Sequence, residues 1–178
     1  MKNCRIYHTG IYAYAGGVIK NGLVYIQGDD SNLDFPKAMF MAEEECEGGL
    51  IQFEVEGKWG FANIYTGEIR IDPVWDYASP FYSGYARVSL GTKIEHCSDG
   101  QIMMQGGKYG YIDRNGKVVI PLEYDDVRNK SYDENYFEVA KNGKWGTIDK
   151  ENSVIISLDW DSVERLYWEN NFHHRICF

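Results

Sequence analysis

Apolar and polar positions alternate along this chain in short runs, and the alternation restarts three times on nearly the same phrase. From Gly57 the chain reads "GKWGFANIYTGEIRIDPVWDYA", from Gly107 "GKYGYIDRNGKVVIPLEYDDV" and from Gly143 "GKWGTIDKENSVIISLDWDSV". Trp59, Tyr109 and Trp145 fall in one column, 50 and then 36 residues apart, so about 14 residues stand inserted before the middle copy. "GTKIEHCSDGQIMM", from Gly91, is the expected insertion. Period-two alternation between turn residues is the mark of strands, since successive side chains of a strand point to opposite faces.

Strand geometry then assigns faces. Trp59 and Phe61 share one side, Gly60 and Ala62 the other; Tyr109 with Tyr111 and Trp145 with Thr147 repeat the arrangement. Glycine inside a strand costs stability unless something must approach the backbone, so Gly60, Gly110 and Gly146 are expected to lie under a neighbouring ring or strand. In the second strand of each copy Ile69 and Ile71, Val118 and Ile120, and Val154 and Ile156 are apolar throughout and form the expected core face, whereas Arg70, Val119 and Ile155 vary. Asn115-Gly116 and Asn142-Gly143 read as two-residue type I′ hairpin turns, with Thr66-Gly67 and Glu56-Gly57 standing in the same places.

The stretch before each copy also repeats: "FEVEGKWG" ends at Gly60, "FEVAKNGKWG" at Gly146, and "YARV" from Tyr85 precedes the middle copy. Each unit thus holds at least three short strands. "ERLYWENNFHHRICF" after Val163 predicts a closing strand near Phe172 to Phe178, and "NGLVYIQGDD" from Asn21 stands one period ahead of Gly57 as a worn first copy. The reading is an all-β chain of tandem antiparallel hairpin or meander repeats of about 36 residues, with residues 1–50 a β-rich segment continuous with the repeat domain at 51–178. Periodicity leaves open a twisted stack, a barrel or a propeller fragment, and a continuous antiparallel array with short protected edges is the expected form.

Composition agrees with that class. Aromatics make up 15% of the chain, with 14 Tyr and 5 Trp, and 19 Gly against 4 Pro favour strands and tight turns over a helical bundle. Burying one ring removes about 150 to 250 Å² from water, an upper bound of roughly 4 to 6 kcal/mol and comparable with the net stability of a whole domain. The rings are therefore read as structural cement, and Trp145→Ala is expected to cost about 3 to 5 kcal/mol.

These residues resemble the WG-repeat (KWG-repeat) family over about Phe53 to Val163, with the middle copy the cleanest: Gly110, Ile112, Asp113, Gly116, Pro121, Tyr124 and Asp125 stand in the family's columns. Departures are Tyr109 for Trp, Asn63 for Asp, Ser157 for Pro and Asn152 for Gly. The resemblance implies β-rich repeat modules, often bacterial and usually without an assigned activity.

One irregular stretch interrupts the pattern. "DFPKAMFMAEEECEGG" from Asp34 predicts one small helix, with Asp34 as cap, Pro36 in the first turn and Gly48 as stop. Glu43, Glu44, Glu45 and Glu47 crowd its last turn, where the helix dipole disfavours anions by roughly 0.3 to 1 kcal/mol each. Such a misfit marks a candidate acidic platform, the other reading being a solvated charged face.

Net charge of −9 and a pI near 4.9 argue against nucleic acid and anionic lipid and for a basic protein partner. Glu43, Glu44, Glu45, Glu47, Asp125, Asp126, Asp133 and Glu134 are the candidate contacts. His8, His96, His173 and His174 lack ligand spacing, so no metal or other cofactor is expected, and His96-Cys97 lacks an orienting third group. Asp76, Asp125 and Asp161 recur after an aromatic; carboxylates that travel with a repeat are expected to satisfy turn amides rather than to do acid–base chemistry. "EGGL" from Glu47 and "AGGV" from Ala15 lack the lysine and spacing of a phosphate cradle.

Cys4, Cys46, Cys97 and Cys177 form no CxxC pair, no apolar signal region follows the start, and no run approaches a membrane span, so free thiols and a cytoplasmic location are expected. The functional expectation is a non-enzymatic protein-interaction module, in its sharpest form an immunity-type inhibitor of a basic toxin. The alternative is a carbohydrate- or cell-wall-binding protein using exposed aromatics, and a glycosidase built on acidic pairs ranks last.

Overall fold

The computed structural model describes residues 1–7, 13–26, 46–96, 102–128 and 136–162. Sixteen strands run through them: β1 (Lys2–Tyr7), β2 (Ala13–Lys20), β3 (Leu23–Ile26), β4 (Leu50–Val55), β5 (Lys58–Asn63), β6 (Ile69–Trp75), β7 (Tyr77–Ala78), β8 (Tyr85–Leu90), β9 (Lys93–His96), β10 (Ile102–Gln105), β11 (Lys108–Asp113), β12 (Val118–Tyr124), β13 (Asp126–Arg128), β14 (Tyr136–Lys141), β15 (Lys144–Asp149) and β16 (Val154–Trp160). All ladders are antiparallel. The all-β expectation holds.

The three copies occupy three separate sheets instead of one continuous array. Their strand orders are β3-β2-β1-β4-β5-β6, then β12-β11-β8-β7, then β13-β14-β15-β16. Each of these sheets holds four neighbouring antiparallel strands, β1-β4-β5-β6, β7-β8-β11-β12 or β13-β14-β15-β16, and the first member is short in the second and third, where β7 has 2 residues and β13 has 3. The hairpin β2–β3 is added to the outer edge of the first sheet, so the worn early copy around Asn21-Gly22 contributes two strands and no sheet of its own. A backbone bond from Val24 N–H to Gly67 C=O (2.8 Å) and the Leu23–Glu68 bridge tie that edge back, curling the first sheet nearly into a barrel. The expected insertion is the hairpin β9–β10, a two-stranded sheet that replaces the two-residue turn between β8 and β11.

Sheets meet face to face because the central strands β4, β5, β11 and β14 are buried on both sides. Cys4, Ile6, Val24, Ile51, Phe53 and Ala62 fill the first sheet's interior. On the opposite face Trp59, Phe61, Ile71 and Trp75 pack against Tyr77, Ala86, Val88 and Ile112 of the second sheet. Tyr109, Tyr111, Ile120 and Tyr124 likewise pack against Val127, Phe137, Val139 and Ile148 of the third. The aromatic side of the first and of the second copy is thus covered by the glycine-bearing side of the sheet that follows it.

Glycine makes that strand geometry possible. Trp59 pairs with Trp75 but Phe61 with Ile71, so a bulge of three residues bows over Gly60, and the same shift recurs at Gly110 and Gly146. A Cβ on Gly60, Gly110 or Gly146 would lie 2.6, 2.3 or 2.6 Å from the carbonyl oxygen of Ile71, Ile120 or Ile156. The approach expected there is by strand backbone.

Four expectations need correction. Of the small helix proposed from Asp34, the described residues contain only a single 3-10 turn, Glu47–Gly49, since Gly48 (φ 71°) and Gly49 (φ 67°) are left-handed and cannot continue a helix; residues 34–45 lie outside the described residues. Asn142-Gly143 (φ 55° and 74°) and Glu56-Gly57 (φ 52° and 76°) are two-residue turns as expected, whereas in Asn115-Gly116 and Thr66-Gly67 only the glycine is left-handed. There the Asp113 carboxylate accepts the N–H of Asn115 and of Lys117, both at 2.9 Å, which sets a longer turn closed by a left-handed residue.

The core face of the second strands is half right. Ile71, Ile120 and Ile156 are buried, but a second bulge turns Val118 and Val154 outward, to 41% and 58% exposure, and leaves Ile69 half-buried. Finally, the match of "FEV" with "FEV" is not spatial: Phe53 sits opposite Gly60, but Val139 sits opposite Gly146. The closing strand expected near Phe172 to Phe178 lies outside the described residues.

Candidate functional site

The repeated polar residues are the natural place to look for chemistry, and each does structural work. Only Asp76 separates β6 from β7, and only Asp125 separates β12 from β13, so at these aspartates the chain leaves one sheet and enters the next. Asp76 accepts from Lys58 Nζ and from the Gly91 N–H, each at 2.5 Å. Asp125 accepts from Lys108 Nζ at 2.5 Å and from the Asn142 N–H at 2.6 Å. Asp161 accepts from Lys144 Nζ at 2.5 Å. Each of the first two carboxylates joins the lysine of its own copy to the inner turn of the next sheet. The hydrogen bonds from Lys108, then Asn142, hold the Asp125 carboxyl below the usual range. Turn amides are what the sequence predicted for these aspartates; the lysine of the GK phrase, 17 or 18 residues upstream, was the missed partner.

A second recurring position was also missed. Gln52, Arg87 and Glu138 lie opposite Phe61, Tyr111 and Thr147, so they share one column on the stacking face. Gln52 Nε2 donates to the Ala78 carbonyl at 2.6 Å, and Arg87 Nη1 to the Val127 carbonyl at 3.4 Å, equivalent bonds from one sheet to the first strand of the next. In the third sheet this column holds a carboxylate. Because the identities differ, only the register could have revealed them.

Trp59 and Tyr109 are 1% and 7% exposed, so neither offers a stacking platform. Trp145 is half-buried beneath the Arg128 guanidinium, whose carbon lies 4.6 Å from the ring centroid.

Of the acidic candidates, Glu43, Glu44, Glu45, Asp133 and Glu134 lie outside the described residues. Glu47 accepts the Gly84 N–H at 2.6 Å and pairs with the Arg114 guanidinium, linking its own turn to two turns of the second sheet. Asp125 and Asp126 sit at the other end of β12 from Arg114. Asp126 pairs with Arg87 at 3.4 Å and Arg128 at 3.8 Å. Glu47 is therefore not brought together with Asp125 and Asp126. His8, Cys97, His173, His174 and Cys177 lie outside the described residues. Cys4 and Cys46 are buried; burial first, then Glu54, pushes the Cys4 thiol up to about 11. Among the described residues no helix is long and apolar enough to cross a membrane.

Residues 59–93 and 109–145 match the family model for the WG containing repeat. The third copy, beyond that match, keeps the same strand lengths, the same bulge over its glycine and the same Lys–Asp pair. No curated protein and no solved structure matches the chain.

Proposed function

We propose, for a chain that carries two adjacent WG repeats and so is a repeat-built β module, that it works as a non-enzymatic protein-interaction module whose partner is a basic protein. The supporting observation is how the repeat's polar residues are used. Lys58, Lys108, Asp76 and Asp125 are engaged within and between sheets, as are Gln52 and Arg87. What the repeats supply is a rigid body, and recognition falls to parts that do not repeat.

Net charge of −9 then favours a cationic partner, because long-range attraction speeds encounter and suppresses acidic competitors. An immunity-type inhibitor of a basic toxin, acting in the cytoplasm, is one concrete form of this reading. Sugar binding through repeat aromatics is disfavoured by the burial of Trp59 and Tyr109. The test is to purify the protein from its native cell, identify the co-purifying protein by mass spectrometry and titrate it calorimetrically at low and high salt. The reading requires a basic partner whose affinity falls about tenfold or more as salt rises. An acidic partner would contradict the charge argument, and turnover of a small substrate would contradict the non-enzymatic one.

A further inference from the structure

Three departures from the repeat pattern converge on one end of the sheets, the end opposite the Lys–Asp corners. First, the outer turn of the first copy, Asn63–Gly67, is one residue longer than its counterpart Asp113–Gly116. The extra residue lets Ile64 turn into the core while Tyr65 turns out, to 51% exposure. Second, "SPFYSG" between β7 and β8 makes a tight turn at Ser83 and Gly84 (φ 49° and 87°) that leaves Tyr82 58% exposed. Third, the Glu47–Gly49 turn lies between them. Gly49 packs so closely on Tyr65 that an added Cβ would sit 3.2 Å from its ring, and at Gly48 one would sit 3.1 Å from Arg114 Nε. Glu47 reaches the Gly84 N–H, two residues from Tyr82.

Tyr65, Arg114 and Tyr82 are thereby set around one three-residue turn, on rigid hairpins of two different sheets. This composition differs from that of the corner end, which carries the Lys–Asp pairs, part-buried at Lys58–Asp76 and exposed at Lys108–Asp125 and Lys144–Asp161. Tyrosine and arginine dominate binding hot spots because they offer large contact area with few rotatable bonds or a rigid donor fork. Glu47 neutralises Arg114 while using one arm of its guanidinium, so the patch carries little net charge to desolvate.

We propose that this Tyr65–Arg114–Tyr82 patch is the short-range contact surface for the basic partner, a proposal that rests on the interaction-module reading above. The net charge of −9 brings the partner in; the patch holds it by receiving apolar side chains on the two tyrosines and a carbonyl or carboxylate on Arg114. The two contributions have separate kinetic signatures. Salt slows association, whereas truncating the tyrosines speeds dissociation.

A photo-crosslinking amino acid placed in the full chain at position 65 or 82, and for comparison at Lys93 of the insertion or Lys144 of a corner, tests this. The expected result is one and the same basic protein captured from positions 65 and 82 and not from 93 or 144. With that protein purified, Tyr65→Ala/Tyr82→Ala raises the dissociation rate at least about tenfold while association stays within about twofold. The Tyr→Phe pair restores binding, and melting temperatures of both double variants match the parent. Capture only from 93 or 144, or an unchanged dissociation rate, overturns this surface but leaves the interaction module standing. No capture from any of the four positions removes both. Fluorescence quenching by chitohexaose that the alanine pair abolishes would overturn the proposal in favour of a sugar site.

Discussion

The carboxylate of Asp125 accepts Lys108 Nζ at 2.5 Å and the backbone N–H of Asn142 at 2.6 Å, so a single side chain at the boundary of two sheets is bonded to both. The lysine lies in the same copy and is about half exposed, as is the aspartate, and such ion pairs contribute little. The turn amide is the bond that joins one sheet to the next. Lys108→Met is therefore expected to cost less than about 0.5 kcal/mol and Asp125→Ala about 1 to 2 kcal/mol. Chemical denaturation of both variants checks the order; equal costs would make the ion pair the main contribution.

The same carboxylate makes stability sensitive to acid. Its folded-state pKa lies below the ordinary value of 3.8, so its contribution is fully present above that value and disappears as pH falls through the lower folded value. Urea midpoints measured from pH 6 downward should stay level and then drop below about pH 4, and Asp125→Asn should shrink the drop.

Glycine substitutions separate steric need from backbone need. Gly110→Ala would place a methyl 2.3 Å from the Ile120 carbonyl oxygen, beneath a bulge that cannot rise without leaving the sheet, and should cost about 2 to 4 kcal/mol. Gly143 (φ 74°) has open space around it, so Gly143→Ala carries only the left-handed penalty of about 1 to 2 kcal/mol. Thermal melts of the two variants check the difference.

Cys4 and Cys46 should resist alkylation in the folded protein, because both are buried and the Cys4 thiol is held up to about 11. Iodoacetamide at pH 8 followed by peptide mapping should leave both unmodified until urea is added. Rapid labelling of Cys4 under native conditions would mean that the interior of the first sheet is open to solvent.

Strands, copy number, the insertion and the burial of Trp59 and Tyr109 were legible in the sequence because period-two patterning follows directly from which face is buried. The change of sheet at each aspartate was not, since a single residue between two strands reads as one bent strand. Bulges were hidden for a related reason: a bulged residue leaves the apolar pattern intact and alters only where it points, which is why Val118 and Val154 were misplaced. Asn115-Gly116 misled because the turn is set by Asp113, two residues upstream, through its own carboxylate. Asn152 shows the converse. It departs from the family's glycine yet keeps the left-handed φ of 61°, and its side-chain oxygen accepts the Tyr124 hydroxyl at 2.7 Å. Of the candidate site, acidity was legible, but whether a given carboxylate was already engaged depended on turns far away in sequence, as with Glu47 and Arg114.

The repeated rings of the first two copies, Trp59 and Tyr109, are interior and join successive sheets, and Trp59 is the more deeply buried of the two. The decisive measurement is the unfolding free energy of Trp59→Ala set beside that of Trp145→Ala. Trp59→Ala should cost about 3 to 5 kcal/mol, and Trp145→Ala, whose half-buried ring revises the earlier expectation, roughly half as much. A Trp59→Ala protein as stable as its parent would put that ring on the surface and contradict the stacked arrangement.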